Sequence, residues 1–168
     1  MAARNAHDAR RVASPLFLRE AEIRRGVELL YFGYSHLYRG INEGLAARGL
    51  GRAHHRALYF ISTRPDLTVS ELLKLLAITK QSLGRVLGDL TEADLVEARV
   101  GQVDRRQRRL RLTDKGRDLE AELFEALREK LSAAYAGAGQ EAVTGFWDVL
   151  EGLIPAEERS RVAGLEGR

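Results

Sequence analysis

No cysteine occurs anywhere in the 168 residues, which excludes disulfides, thiolate nucleophiles, thiol redox sensing and zinc sites built on Cys. Nor is there an apolar run near the roughly 18 residues that a membrane-spanning helix needs. The start, MAARNAHDARRVASP, lacks the apolar centre of a secretory signal. Its Ala- and Arg-rich composition would also suit a mitochondrial transit segment, but the reading adopted is a tail over residues 1–18 that carries no fold. The expectation is a soluble, cytoplasmic protein with no membrane partner. Enzyme signatures are missing as well: the sequence has no Gly-rich phosphate loop, no nucleophile motif and no metal triad. The adjacent pair His54-His55 points to different helix faces, with no thiol or paired carboxylate motif nearby, so no metal site and no cofactor is expected.

What is present is enough for one compact core, since 45% of the residues are hydrophobic and the length suits a single domain. The net charge of +3 hides an uneven distribution. Residues 99–117 carry 8 Lys/Arg against 2 Asp/Glu, whereas residues 118–168 carry 5 against 11. A local basic feature on a nearly balanced body points to a polyanion bound at one place.

The apolar pattern changes period along the chain. Ile23, Val27, Leu30, Tyr34, Leu37, Ile41 and Leu45 recur at three-and-four spacing and predict a long helix, ended by Gly49-Leu50-Gly51. A second helix from about Arg52 to Ser62 is broken by Arg64-Pro65-Asp66. Thr68-Val69-Ser70-Glu71 reads as a capping box opening a short helix. Thr79 is a plausible second N-cap, before Leu83, Val86, Leu87 and Leu90. Two short capped helices a few residues apart make a helix-turn-helix candidate. The period then becomes alternating: Val96, Ala98 and Val100, a polar loop over 101–106, then Leu110 and Leu112, which is a two-stranded hairpin. Helical period returns with Leu119, Leu123, Leu127 and Leu131, and a last helix carries Val143, Phe146, Trp147, Leu150 and Ile154. The class is therefore mainly α with a small β-hairpin.

Two stretches carry chemistry. Beside its apolar stripe, the helix after Thr79 presents Lys80, Gln81, Ser82, Gly84 and Arg85, residue types that read base edges and hold phosphates when a helix enters the major groove. An ordinary solvated polar face is the plain alternative. The stretch DRRQRRLRLTDKG, residues 104–116, adds Arg105, Arg106 and Arg108 near the hairpin tip. A narrow strand pair of this kind reaches a minor groove, whose negative potential favours Arg. Asp104 beside them would pair with and aim a guanidinium. A charged edge that only blocks strand-to-strand aggregation is the alternative here, and five arginines exceed that need.

The segments LTVSELLKLLAITKQSLGRVLGDL and DRRQRRLRLTDKG together resemble the MarR family of winged-helix bacterial transcriptional regulators, over about Glu20 to Ile154. The second matches that family's Asp-x-Arg…Leu-Thr-x-x-Gly pattern closely. The resemblance implies a winged helix-turn-helix DNA-binding lobe at 52–115, dimerisation helices at 19–48 and 117–155, and a C-terminal tail at 156–168. It implies a homodimeric regulator, a repressor by expectation, on a pseudo-palindromic stretch of double-stranded DNA. Thr79, Lys80, Gln81, Ser82 and Arg85 take the recognition role, Arg105, Arg106 and Arg108 the wing role, and Asp104 the orienting one. It also implies a small aromatic or anionic effector, for which Tyr31, Tyr34, Tyr38, His55, Tyr59 and Trp147 are candidate lining residues; plain core packing is the competing reading of that set. A winged-helix protein-interaction module without DNA binding is the alternative function, one that would not need the basic wing. One departure stands out: Asp94-Leu95 occupies a place where the family usually has Gly-Leu, so a left-handed helix cap there rests on Asp tolerating it.

Overall fold

The computed structural model describes residues 19–100 and 108–163, so Asp104, Arg105 and Arg106, like the expected tail at 1–18, lie outside the described residues. The chain divides into two compact units, residues 1–38 and 39–168. Helix α1 (Glu20–Ala46) begins in the first unit, where Glu20 accepts from Arg24 one turn on. Its apolar positions Ile23, Val27, Leu30 and Tyr34 are exposed there.

The second unit holds the core. Ile41 and Leu45 at the end of α1 are buried, and α2 (Arg52–Thr63) contributes Ala57, Leu58 and Ile61. Next come strand β1 (Leu67–Thr68), helix α3 (Val69–Leu76) and helix α4 (Lys80–Glu92). Strands β2 (Val96–Val100) and β3 (Arg108–Leu112) follow, then helices α5 (Asp114–Ala138), α6 (Gln140–Gly152) and α7 (Ala156–Ala163). Leu72, Leu76, Leu83, Val86 and Leu90 from the two short helices meet Val96, Leu110 and Leu112 from the sheet, all buried. Leu119, Leu123 and Leu127 bring α5 onto α2.

The local grammar explains the boundaries. Glu71 N–H donates to the Thr68 hydroxyl at 3.2 Å while the Glu71 carboxylate accepts from Thr68 N–H at 2.8 Å, a reciprocal capping box. At the end of α4, Leu95 N–H donates to Leu90 C=O at 2.8 Å and Asp94 N–H to Thr91 C=O at 3.0 Å. Asp94 sits at φ +57°. This is the Schellman ending with Asp where Gly is commoner, and a short polar side chain is among the few that tolerate that backbone.

Three features depart from the sequence expectation. The sheet has three strands in the order β1-β3-β2 rather than two, with Leu67 opposite Leu110 and Thr68 opposite Arg109. Two residues are too short for any alternation to be read, and they exist as a strand because β3 offers a free edge. Ala98, expected to alternate inward with Val96, is exposed. The 156–168 segment, expected as a tail, carries α7, opened by the acidic residues Glu157 and Glu158 that favour a helix N-terminus.

Candidate nucleic-acid interface

The helix-turn-helix is fixed from several sides. Thr79 caps α4 by accepting from Ser82 N–H at 3.1 Å, and its own hydroxyl donates to Ser82 Oγ at 2.9 Å. Between the two helices Ala77 adopts φ +51°, a costly conformation for Ala. Arg56 on α2 donates to Leu76 C=O at 2.5 Å beside that bend. His54 spans α2 and α4: Gly51 N–H donates to its Nδ1 at 3.0 Å, and its Nε2 lies 2.9 Å from Asp89 Oδ2. The accepting Nδ1 leaves the proton on Nε2, which donates to Asp89.

With the stripe of Leu83, Val86 and Leu90 buried, Lys80, Gln81, Ser82 and Arg85 all stand exposed on the opposite face. A Cβ built on Gly84 or Gly88 would meet nothing within 4 Å, so the helix is open at these two positions.

The sequence LTDKG docks the hairpin to the body. Thr113 N–H donates to Leu95 C=O at 3.2 Å, its hydroxyl donates to Asp94 C=O at 2.7 Å, and Lys115 Nζ donates to Ala93 C=O at 2.8 Å. Thr113 also caps α5 by accepting from Gly116 N–H at 2.9 Å. Gly116 is required by contact: a Cβ there would lie 1.9 Å from the Leu95 carbonyl oxygen.

The arginines of the hairpin separate into two kinds. Arg111 is held by both oxygens of Asp66 at 2.7 Å each, Arg99 pairs with Glu97 at 2.7 Å, and Arg109 reaches Asp66 C=O at 3.5 Å. The Arg111 guanidinium accordingly holds the Asp66 carboxyl below its ordinary range, chiefly by hydrogen bonding. Lys80, Arg85 and Arg108 have no partner among the described residues and are exposed. They are positions that the sequence singles out for DNA.

The aromatic set is dispersed over three helices. On α1, Tyr31 is exposed beside Phe32, and the Tyr34 and Tyr38 rings lie 4.6 Å apart. On α2, Tyr59 meets Phe60 edge to face, and His55 is 5% exposed with its pKa lowered by burial. On α6, Trp147 is half exposed and its Nε1 donates to Tyr135 Oη at 3.3 Å. A cavity of about 520 Å³ lies against Arg64, Asp66, Thr68, Glu71, Lys74 and Arg109, and one of about 260 Å³ against Ser62, Pro65, Arg111 and Arg117. Neither is lined by any of the six aromatic-set residues. Among the described residues no group of three or more His, Asp or Glu is placed to hold a metal ion, and no described helix is long and apolar enough to cross a membrane.

Comparison with known proteins gives this geometry a lineage. The MarR family model matches residues 48–107, the stretch from the end of α1 into the hairpin. The HTH-type transcriptional regulator PetP of Rhodobacter capsulatus is 48% identical over 145 residues, covering 86% of this chain and 87% of its own. The chain belongs to the MarR family. Among solved structures, Streptococcus pneumoniae FabT in complex with DNA superposes with a TM-score of 0.69 at 21% identity, over 78% of this chain and 94% of that one. A mutant MarR from E. coli complexed with operator DNA gives 0.63 at 22% identity, over 84% and 100%. As a MarR-family member the chain is a DNA-binding transcriptional regulator with a winged-helix fold.

Sequence reasoning about this MarR-family chain missed the ties that hold the reading elements in place. Asp66 entered only as part of a helix breaker and His54 only as half of a rejected metal pair. The partners lie 45 and 35 residues away, at Arg111 and Asp89, and no periodicity connects positions so far apart. The one local signal was a charged residue directly after Pro65 at the mouth of a capping box.

Proposed function

We propose that two copies of this chain bind a pseudo-palindromic DNA site as a homodimer and repress transcription from it. One recognition helix of each copy, α4, enters a major groove, with half-sites roughly 34 Å apart, one helical turn. Lys80, Gln81, Ser82 and Arg85 contact base edges and phosphates, with Thr79 fixing the helix start. Arg105, Arg106 and Arg108 serve the adjacent minor groove, and Asp104 aims them. The observation that carries this reading is the sorting of cations: Lys80, Arg85 and Arg108 stand exposed and without partners among the described residues, while Arg99 and Arg111 are ion-paired. Paired arginines shape a protein surface; unpaired ones release counterions from DNA.

The apolar faces of α1 and α6 support self-association, because Ile23, Val27, Leu30, Phe146, Trp147 and Val149 are exposed and at helical spacing. A small aromatic or anionic effector completes the reading, with Tyr31, Tyr34, Tyr38, His55, Tyr59 and Trp147 as its candidate contacts. The protein is placed in the cytoplasm, as a binding protein to which no catalysis is assigned.

The test is a fluorescence titration against a duplex that the wild-type protein selects from a randomised pool. Arg106→Ala is expected to weaken binding to all sequences and to lower the salt slope by about 0.9, one phosphate's worth. Gln81→Ala is expected to relax discrimination at particular bases, with a penalty of about 1–3 kcal/mol confined to them. Coincident salt slopes for wild type and Arg106→Ala would remove the wing assignment, and an unchanged base preference in Gln81→Ala would remove the recognition one.

A further inference from the structure

The turn between α2 and β1 is tied to strand β3 by side-chain hydrogen bonds as well as by strand pairing. Asp66 sits there at φ +66°, a left-handed conformation that turns its side chain and its carbonyl onto the same neighbour strand. Its carboxylate takes both the Nε and the Nη2 of Arg111 at 2.7 Å, and its carbonyl accepts from Arg109 Nη1 at 3.5 Å. Two-point contact to a planar guanidinium fixes orientation as well as distance. Arg109 and Arg111 lie on one face of β3, opposite Arg99 and Glu97 on β2 and Thr68 on β1. Asp66 also immediately precedes β1, and Thr68 two residues later caps α3. A single residue is therefore bound, through the chain on one side and through two arginines on the other, to the first helix of the helix-turn-helix and to the strand that leads out of the wing.

We propose that Asp66 is a positioning residue for DNA recognition: by clamping β3 to the start of the helix-turn-helix, it sets the angle between the wing and the recognition helix, and so allows both to meet one duplex. The inference rests on the reading of the β2–β3 hairpin as a minor-groove wing. Asp66 itself touches no DNA in this arrangement, because its carboxylate oxygens are spent on Arg111.

The electrostatics give the test a sign. Asp66→Asn raises the net charge by one and frees the Arg111 guanidinium, so a role limited to charge balance predicts tighter binding to DNA. A positioning role predicts weaker binding, on the order of tenfold, because a wing held only by the β1 pairing and by Thr113 and Lys115 no longer arrives in register. Asn also keeps the left-handed turn, being among the residues that tolerate it.

The experiment is a titration and a hydroxyl-radical footprint of the full chain on the duplex selected by the wild-type protein, with thermal unfolding of each variant alongside. Asp66→Asn and Arg111→Gln should each lose protection at the outer flanks while keeping it at the half-site centres. Their double variant, which restores the wild-type net charge, should be no worse than either alone. Unfolding temperatures should stay close to wild type, since an exposed ion pair adds little to stability. Tighter binding by Asp66→Asn, or flank protection equal to wild type, overturns the inference and leaves the wing reading intact. Absence of flank protection in the wild-type protein itself removes both. Uniform loss of flanks and centres with a lowered unfolding temperature in Arg111→Gln shows a merely structural pair and also overturns it.

Discussion

Two stretches of helix with the same apolar rhythm meet opposite fates in this molecule. In α4 the stripe of Leu83, Val86 and Leu90 is sealed, with Leu83 only 1% exposed, whereas in α1 the equally regular stripe leaves Val27 62% exposed. The α6 helix behaves like α1, with Trp147 at 50% and Val149 at 61%. Periodicity of hydrophobic residues thus predicts that a helix forms and which face is apolar, and is silent on what covers that face. In the winged-helix lobe the cover is the chain's own sheet and helices. At the chain ends a second copy is the cover proposed above, since large exposed apolar patches mark association sites.

The sharpest way to test the contrast is to shave both stripes. Leu83→Ala should cost about 2–5 kcal/mol of unfolding free energy, from lost transfer and a partly unrelaxed cavity. Val27→Ala should cost about 0.5 kcal/mol or less at a protein concentration where the chain is monomeric, and appear instead as weaker self-association in sedimentation. Equal costs would break the comparison. The glycines make a second pair. Gly116→Ala drives a Cβ into the Leu95 carbonyl, whereas a Cβ at Gly145 on α6 meets nothing within 4 Å. The first should cost about 1–3 kcal/mol or more, and the second should gain up to about 1 kcal/mol by restricting the unfolded chain; chemical denaturation of the two variants measures both.

A smaller effect belongs to Thr68. Thr68→Ala removes the acceptor for Glu71 N–H and should cost about 1 kcal/mol, read from the same denaturation curves.

The smallest is a pH effect at His55, buried in α2 with its pKa lowered by desolvation. Because the unfolded chain binds a proton there more readily than the folded one, stability should be level above the unfolded value near 6.5. It should fall as the pH drops from there through the depressed folded value. Thermal unfolding at stepped pH, compared with His55→Gln, isolates the term: the variant should show a shallower acid decline.

Much of this was legible from the residues. The Thr68-x-x-Glu71 box, the Thr79 cap, the polar face of α4 and the alternation around Leu110 and Leu112 are short-range patterns, complete within a dozen residues, and the structure realises each of them. Asp94 was identifiable too, as a left-handed cap where Gly was expected. The strand Leu67–Thr68 was not legible, because two residues have no periodicity and gain their conformation only from pairing with Leu110 and Arg109. The α7 helix over Ala156–Ala163 went unread because no apolar stripe marks it. The sorting of arginines was legible only in part: Arg108 stood out by its place near the hairpin tip, whereas the use of Arg111 on a carboxylate and of Arg109 on a carbonyl follows only from the folded turn at Asp66.

By itself, then, the sequence determined the order and type of the long elements, the two capped helices, the concentration of positive charge in 99–117 and membership of a DNA-binding class, since these depend on neighbours a few positions apart. The tertiary structure alone decided which cations are spent on carboxylates, how β3 is anchored to the α2–β1 turn, how His54 braces α4, and which apolar faces remain open. Each of those joins groups tens of residues apart, and an ion pair or an exposed face has no energy until the chain brings its two sides together or leaves one of them bare.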